Sequence, residues 1–291
     1  MNGPRYMMLS ALGFALMGAL VKVAGAAGIP LLEIILVRAV ISVALSLVDI
    51  ARAKVHPLGH RRWLLTARGV MGFCSLSCVF YAILHLPYAQ ATILQYLHPI
   101  FTSVLAFLFL REVPARGTMI CVALSMGGLA AMLLPAVEMP SADVNWLAVL
   151  AGLGGAFGSG MAYTIVRKLA ATEHPSVIVL YFPMACIPAT LLLGAQDFVW
   201  PDYSTWWVLL GVGVFAQLGQ LALTKAMRTD TASRAASLSY IQIVFAALLG
   251  LLAFGEIPSA YTLLGGSLII LGAVVNAWMK TAPGDNKLRS A

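Results

Sequence analysis

Residues 110–133 read LREVPARGTMICVALSMGGLAAML, and residues 254–277 read FGEIPSAYTLLGGSLIILGAVVNA. Set at a shift of 144, the two stretches pair Glu112 with Glu256, Pro114 with Pro258 and Gly128 with Gly272. The same shift pairs Trp63 with Trp207, Gly69 with Gly213 and Tyr96 with Tyr240. A shift of 145 pairs Gly13 with Gly158, Lys22 with Arg167 and Pro30 with Pro175. The chain is therefore an internal duplication, and the content of one copy decides the fold.

That content is apolar. Of the residues, 61% are hydrophobic and 10% charged, with a mean hydropathy of +0.92, values outside the range of water-soluble domains. Ten apolar segments follow one another, at 6–24, 31–50, 63–86, 88–110, 115–134, 145–166, 175–194, 204–226, 231–254 and 259–279. Each is long enough to cross ~30 Å of hydrocarbon as a helix, and their length and spacing exclude strands. The expectation is an all-α integral membrane protein with ten transmembrane helices: a first five-helix repeat over 1–140, a second over 141–280, and a short cytoplasmic tail at 281–291. Five is odd, so the second copy must enter the membrane in the opposite sense. Inverted repeats about a pseudo-two-fold axis in the membrane plane are an architecture of secondary transporters, whose halves exchange conformations to open a central site to each side in turn.

The formal charge of +7 does not point to nucleic acid, because of where the charge lies. Arg5, Arg52, Lys54, Arg61, Arg62, Arg111, Arg116, Arg167, Lys168, Lys225, Arg228, Arg234, Lys280, Lys287 and Arg289 fall on one side, while the connectors at 25–30, 85–88, 135–144, 195–203 and 255–258 contain no Lys or Arg. The positive-inside rule then puts both termini in the cytoplasm. The N-terminus, with Arg5 and VAGAAG at 23–28, imitates a secretory signal, but orientation and repeat both require it as the first helix. The four cysteines, Cys74, Cys78, Cys121 and Cys186, all fall in helices. Cys74 and Cys78 share a face without a third or fourth ligand nearby, so they read as packing residues rather than a metal site.

With these features the chain resembles the drug/metabolite transporter superfamily and its EamA-type members, over residues 5–280. The motifs that carry the resemblance are FLFLREVP and LLAFGEIP, at the ends of the fourth and ninth helices, and the glycine-spaced ALSMGGLAAML and GGSLIILGAVVNA that follow. The resemblance implies a multi-pass protein of a bacterial inner membrane and supports efflux. It does not name a substrate.

Polar groups inside the spans locate the expected cavity. The run QYLHPIF at 95–101 interrupts an apolar segment with Gln95, Tyr96 and His98, whose repeat mates are Ser239, Tyr240 and Gln242. Such groups are costly facing lipid, so they should face a bundle interior. Gln95, His98 and Thr102 share a helical face, and Pro99 frees the Gln95 carbonyl and permits a kink. The alternative is that His98 and Gln242 hydrogen-bond to each other or to neighbouring backbone and only fasten helices together. Tyr81, Tyr163, Tyr181, Gln217, Gln220 and Tyr240 are further polar positions within spans. Gly154 and Gly158, with Gly160, read as a close helix contact, and Pro183 with Pro188 suggests that the seventh helix is bent or broken.

Charge is sparser. Arg68, one to two turns inside the third helix, suits snorkelling. Lys22 and Glu33 adjoin one outer connector and read either as a plain ion pair or as an outer gate. No Asp or Glu lies at the depth of Arg38, so Arg38 needs carbonyls, Glu33 or an incoming anion, and its planar fork suits a carboxylate. His98 is the titratable group placed for proton coupling, although facilitated diffusion and exchange fit equally, and no Na⁺ site is legible.

No G-x-x-x-x-G-K-[ST], H-E-x-x-H or G-x-S-x-G pattern occurs, so neither ATP hydrolysis nor these hydrolase mechanisms find support. The expected partners are a small-molecule substrate and the lipid bilayer, with no nucleic acid, cofactor or metal. The oligomeric state is open and compatible with a monomer. Three readings remain: export of a small polar metabolite, zwitterionic or carboxylate-bearing, such as an amino acid or an amino-acid-derived metallophore; import of a vitamin or nucleoside-like compound of the riboflavin or S-adenosylmethionine type; and, remotely, a non-transporting membrane enzyme or subunit. A phosphate-bearing sugar is disfavoured, because the last two helices hold no internal Lys or Arg for it.

Overall fold

The computed structural model describes residues 3–85, 94–137, 145–255 and 259–279. Among them every regular element is helical. In chain order these are α1 (Gly3–Ala26), α2 (Leu31–Ala53), α3 (Arg62–His85), α4 (His98–Leu110), α5 (Arg116–Val137), α6 (Trp146–Leu169), α7 (Pro175–Gly194), α8 (Tyr203–Thr229), α9 (Ala232–Ser237), α10 (Ile241–Phe254) and α11 (Ala260–Trp278), with 3-10 turns at Ala195–Asp197 and Leu238–Tyr240. Eight stretches of the described residues are long and apolar enough to cross a membrane, α9 to α10 counting as one, and α4 and Arg116–Met132 are shorter apolar helices. The chain is a multi-pass membrane protein. The first part of the expected 88–110 span, most of the connectors at 85–88, 135–144 and 255–258, the repeat residues Glu256 and Pro258, and the tail at 281–291 lie outside the described residues.

Side chains and backbone mark the helix ends. Asn145 opens α6 by accepting from the Ala148 N–H at 3.1 Å, and Ser259 opens α11 by accepting from the Thr262 N–H at 3.1 Å, each satisfying a donor the helix cannot. Asp202 does the same for α8, with the Thr205 N–H at 3.0 Å and the Ser204 hydroxyl at 2.6 Å. The Ser204 and Thr205 bonds hold its carboxyl below the usual range. The repeated motif stops α4 and α10 in one way: Arg111 at φ 56° and Gly255 at φ 66° both turn left-handed, and the chain bonds back onto the preceding turn.

The expected break in α7 is corrected, whereas the kink that Pro99 permits is present. α7 runs unbroken through Pro183 and Pro188, since each proline forfeits a single backbone bond that the flanking turns outweigh. The interruptions fall instead at Tyr96–Leu97 and at the Leu238–Tyr240 turn, corresponding positions of the two copies. In the first, Pro99 has no N–H for the Gln95 carbonyl, and the His98 ring Nδ1 meets it at 3.1 Å. The second has no proline. There the Ser237 hydroxyl bonds to the Arg234 carbonyl at 2.9 Å and the Ser239 hydroxyl to the Ala236 carbonyl at 2.7 Å, which lets side chains compete with the helical ladder.

Close helix contacts set the frame: α1 packs along α8, α3 along α6, α2 along α7, and α5 along α11. Gly154 faces nothing within 4 Å, contrary to expectation. The contact with α3 is made by Gly155 and Gly158, whose added Cβ atoms would lie 2.7 Å from Val79 Cγ2 and 3.0 Å from Ser75 Cβ, while Gly160 faces Phe101 of α4. A Cβ on Gly128 would lie 2.5 Å from the Gly265 carbonyl oxygen, so α5 and α11 touch backbone to backbone.

The two ends of the bundle pack differently. At the end that carries the arginines, a single buried cluster joins Met7, Ile50, Leu65, Leu169, Val177 and Met227, from six helices. At the opposite end the packing is divided: Ala24, Ile34 and Val212 tie α1, α2 and α8 together, and Ala82 with Ala148 ties α3 to α6. All six tryptophans are exposed near helix ends, as expected for side chains at membrane interfaces. Cys121 and Cys186 are buried packing residues as expected, whereas Cys74 is exposed, and all four are free.

A two-arginine cavity as the candidate functional site

Between the two halves of the divided end lies a cavity of about 230 Å³. Of the residues singled out from sequence, Arg38, Gln95, Tyr163, Gln220 and Gln242 line it. They arrive from α2, the helical residues just before the Tyr96–Leu97 turn, α6, α8 and α10. Three polar lining residues were not anticipated as site residues: Arg68, Ser75 and Ser159.

Arg68 corrects its sequence reading. Rather than snorkelling to the surface, it is 5% exposed. Its Nη2 donates to Gln220 Oε1 at 3.3 Å, its Cζ lies 4.9 Å from the centre of the Phe182 ring, and its Nε has no hydrogen-bond partner. The fork fits because residue 72 is glycine: a Cβ there would stand 2.6 Å from Arg68 Nη1 and 2.7 Å from Phe182 Cδ2. Arg38 approaches the same ring from α2 at 5.4 Å, and its Nη1 meets the Met17 sulfur at 3.8 Å. Among the described residues, neither arginine forms an ion pair. Two guanidiniums thus flank one aromatic ring, held by cation–π contact and weak acceptors.

The neutral wall is organised by the α3–α6 contact. The Ser75 hydroxyl donates to the Gly155 carbonyl at 2.7 Å and lies 2.7 Å from the Ser159 hydroxyl. Phe14, Met17 and Leu76 supply apolar surface.

The other expected site residues lie elsewhere. His98 is buried, with Nδ1 at the Gln95 carbonyl and Nε2 3.3 Å from the Ser239 hydroxyl, and its ring stands edge-on to Tyr163 at 5.2 Å. Of the two partners the alternative offered, His98 uses neighbouring backbone and not Gln242. Tyr240 donates its hydroxyl to the Tyr96 carbonyl at 2.8 Å, and the two rings stack at 6.0 Å. Gln217 donates to the Ser46 hydroxyl at 2.8 Å and fastens α8 to α2, and the Tyr181 hydroxyl donates to the Leu58 carbonyl at 3.0 Å. No ion pair joins Lys22 to Glu33: Glu33 accepts from the Val199 N–H at 2.9 Å, and Lys22 Nζ stands 4.4 Å from the Phe254 ring centre.

An ion pair not foreseen from sequence lies at the arginine-bearing end. Glu112 Oε1 accepts from Arg167 Nε at 2.7 Å and Oε2 from the Ala232 N–H at 2.8 Å, while Arg167 Nη1 donates to the Met227 carbonyl at 2.7 Å. Four chain segments are tied there: the end of α4, α6, the end of α8 and the start of α9. Among the described residues no cluster of three His, Cys, Asp or Glu residues is placed to hold a metal.

The model of the EamA-like transporter family matches residues 1–134 and 146–278. The chain belongs to that family. It is thus a transporter. A pseudopaline exporter, CntI, of Pseudomonas aeruginosa is 35% identical over 275 residues, covering 94% of this chain and 95% of that protein. A riboflavin transporter of Vibrio cholerae is 28% identical over 289 residues, with 96% and 94% covered. One solved structure superposes with a TM-score of 0.78 at 19% identity, over 92% of this chain and 96% of that one, and shows that the fold is shared. The family places the cavity in a membrane carrier.

Proposed function

We propose that the protein is a secondary transporter that exports a small, carboxylate-bearing metabolite, an amino acid or an amino-acid-derived compound such as a metallophore, by alternating access. The observation that carries this reading is the pair Arg38 and Arg68, cations inside a membrane bundle with no carboxylate paired to either among the described residues. A cation at this depth is stable only with compensation, and an anionic cargo supplies it in the geometry a guanidinium favours. A volume of about 230 Å³ suits a metabolite rather than a macromolecule. Similarity to a pseudopaline exporter supports the direction and the compound class.

The carrier architecture is read as ten helices in two inverted five-helix repeats, 1–140 and 141–280, followed by the tail at 281–291, in the inner membrane with both termini cytoplasmic. Reciprocal contacts support the two-fold relation. Ser10 donates to the Gly219 carbonyl at 2.8 Å, and Ser75, the repeat mate of Gly219, donates to Gly155, the mate of Ser10, at 2.7 Å. Gly128 meets Gly265, and their mates Gly272 and Cys121 meet in turn.

The test compares intracellular and extracellular metabolites of the native host with the gene deleted, restored, and restored as Arg38→Gln. A carboxylate compound retained by the deletion strain, released on restoration and released at least about tenfold more slowly by the variant is the expected result; tenfold corresponds to about 1.4 kcal/mol, within the worth of one charge-assisted contact. A compound left unused in the medium by the deletion strain would make the protein an importer instead.

A further inference from the structure

We infer that the cavity binds a substrate with two separate anionic groups, one for each arginine, and discriminates against monoacids. This rests on the transporter reading of the same site and deepens it. Arg38 and Arg68 belong to different helices, α2 and α3, and face one ring, Phe182, with their Cζ atoms at 5.4 and 4.9 Å from its centre. One carboxylate satisfies one fork, and a monoacid would leave the second guanidinium buried and uncompensated, the costly arrangement for a charge out of water.

Arg68 is the more exacting of the two. It is 5% exposed, its Nη2 donates to a neutral amide, Gln220, and its Nε is unpartnered. Nothing frees it to leave, because Gly72 makes the space it occupies and the Gln220 amide fixes its head. The remaining polar wall is neutral: Gln95, Gln242, Ser75, Ser159 and Tyr163. Their oxygens suit an amine or hydroxyl between two acid groups, so a substrate amine lies among these acceptors while the acids meet the forks.

The experiment follows thermal unfolding of the purified full-length chain in detergent against two matched probe pairs: L-glutamate with L-glutamine, and iminodiacetate with its monoamide. Within each pair size is nearly constant and one negative charge is removed. The expected result is half-saturation at a concentration about tenfold lower for the diacid than for its monoamide, with the preference lost in Arg38→Gln and in Arg68→Gln and partly kept in Arg38→Lys and Arg68→Lys. Equal responses within both pairs, no response to any probe, or a preference that survives both Gln variants overturns the inference. The wild-type comparison decides even where a variant does not fold. Failure is separable from failure of the export reading: a retained compound with a single acid group refutes the two-anion site and leaves export standing, whereas a host that retains nothing refutes export while the probe pairs still decide the site.

Discussion

A methyl group has no room at Gly72, where it would stand 2.6 Å from Arg68 Nη1 and 2.7 Å from Phe182 Cδ2. Gly72→Ala must therefore displace the guanidinium or the ring. It is expected to lower transport as severely as loss of Arg68 itself, while costing about 1–3 kcal/mol of stability as an overpacked contact, measured by flux and by thermal unfolding on the same preparation. Arg111 offers the opposite case. It holds φ 56° where its repeat mate Gly255 holds 66°, a left-handed conformation that costs a side-chain-bearing residue about 1–2 kcal/mol. Arg111→Gly is expected to raise the unfolding midpoint without changing transport, and a lowered midpoint would refute this. At this scale the sequence was partly legible. Arg38 could be singled out because its depth and the lack of an acid at that depth are both readable from the chain. Arg68 could not, because distance from a helix end says nothing about whether the surrounding helices close over it. Ser75 and Ser159 carry no sequence signal beyond being small and polar.

Between elements, the Glu112 carboxylate is the shared acceptor of Arg167 and of the α9 backbone. Glu112→Gln keeps the shape and removes the charge, and is expected to weaken this joint by about 2 kcal/mol, the scale of a hydrogen bond to a charged group. Cys121, fully buried with its sulfur 3.7 Å from the Ser237 carbonyl, reports on it: alkylation of the native thiol, followed by mass spectrometry, should accelerate several-fold in the variant. An unchanged rate would mean that the apolar cluster alone holds this end shut. The helices themselves were legible from hydrophobic length, and the stop of α4 and α10 from the repeated motif. Their interruptions were legible in part. Pro99 announced the one beside Tyr96, but Pro183 and Pro188 suggested a break in α7 that is absent, and the one beside Tyr240, where serine hydroxyls compete for the backbone, has no proline to mark it. The glycine contact was recognised correctly at Gly158 and Gly160, and only its first member differs, Gly155 rather than Gly154 facing α3.

For the whole molecule, one end is a single packed cluster and the other is divided, with the cavity between the divided parts. On the proposed alternating-access reading, opening the packed end requires separation of the Glu112–Arg167 joint together with the cluster around Leu65, Leu169 and Met227. The duplication made such an exchange of states foreseeable, but the state itself depends on which long-range contacts are formed, and periodicity contains no such information. The two guanidiniums, without an ion-pair partner among the described residues, also bear on energetics across the membrane. On the proposed two-anion, alternating-access reading, a carrier that turns over empty takes two positive charges through the membrane, whereas one loaded with a dianion takes none. Voltage acts on uncompensated charge at about 2.3 kcal/mol per elementary charge per 100 mV for passage through the whole field. In vesicles clamped by a potassium diffusion potential, one-for-one exchange of cargo should therefore run fast and ignore the voltage, and net efflux, which needs the empty return, should be slow and should change rate when the potential is reversed.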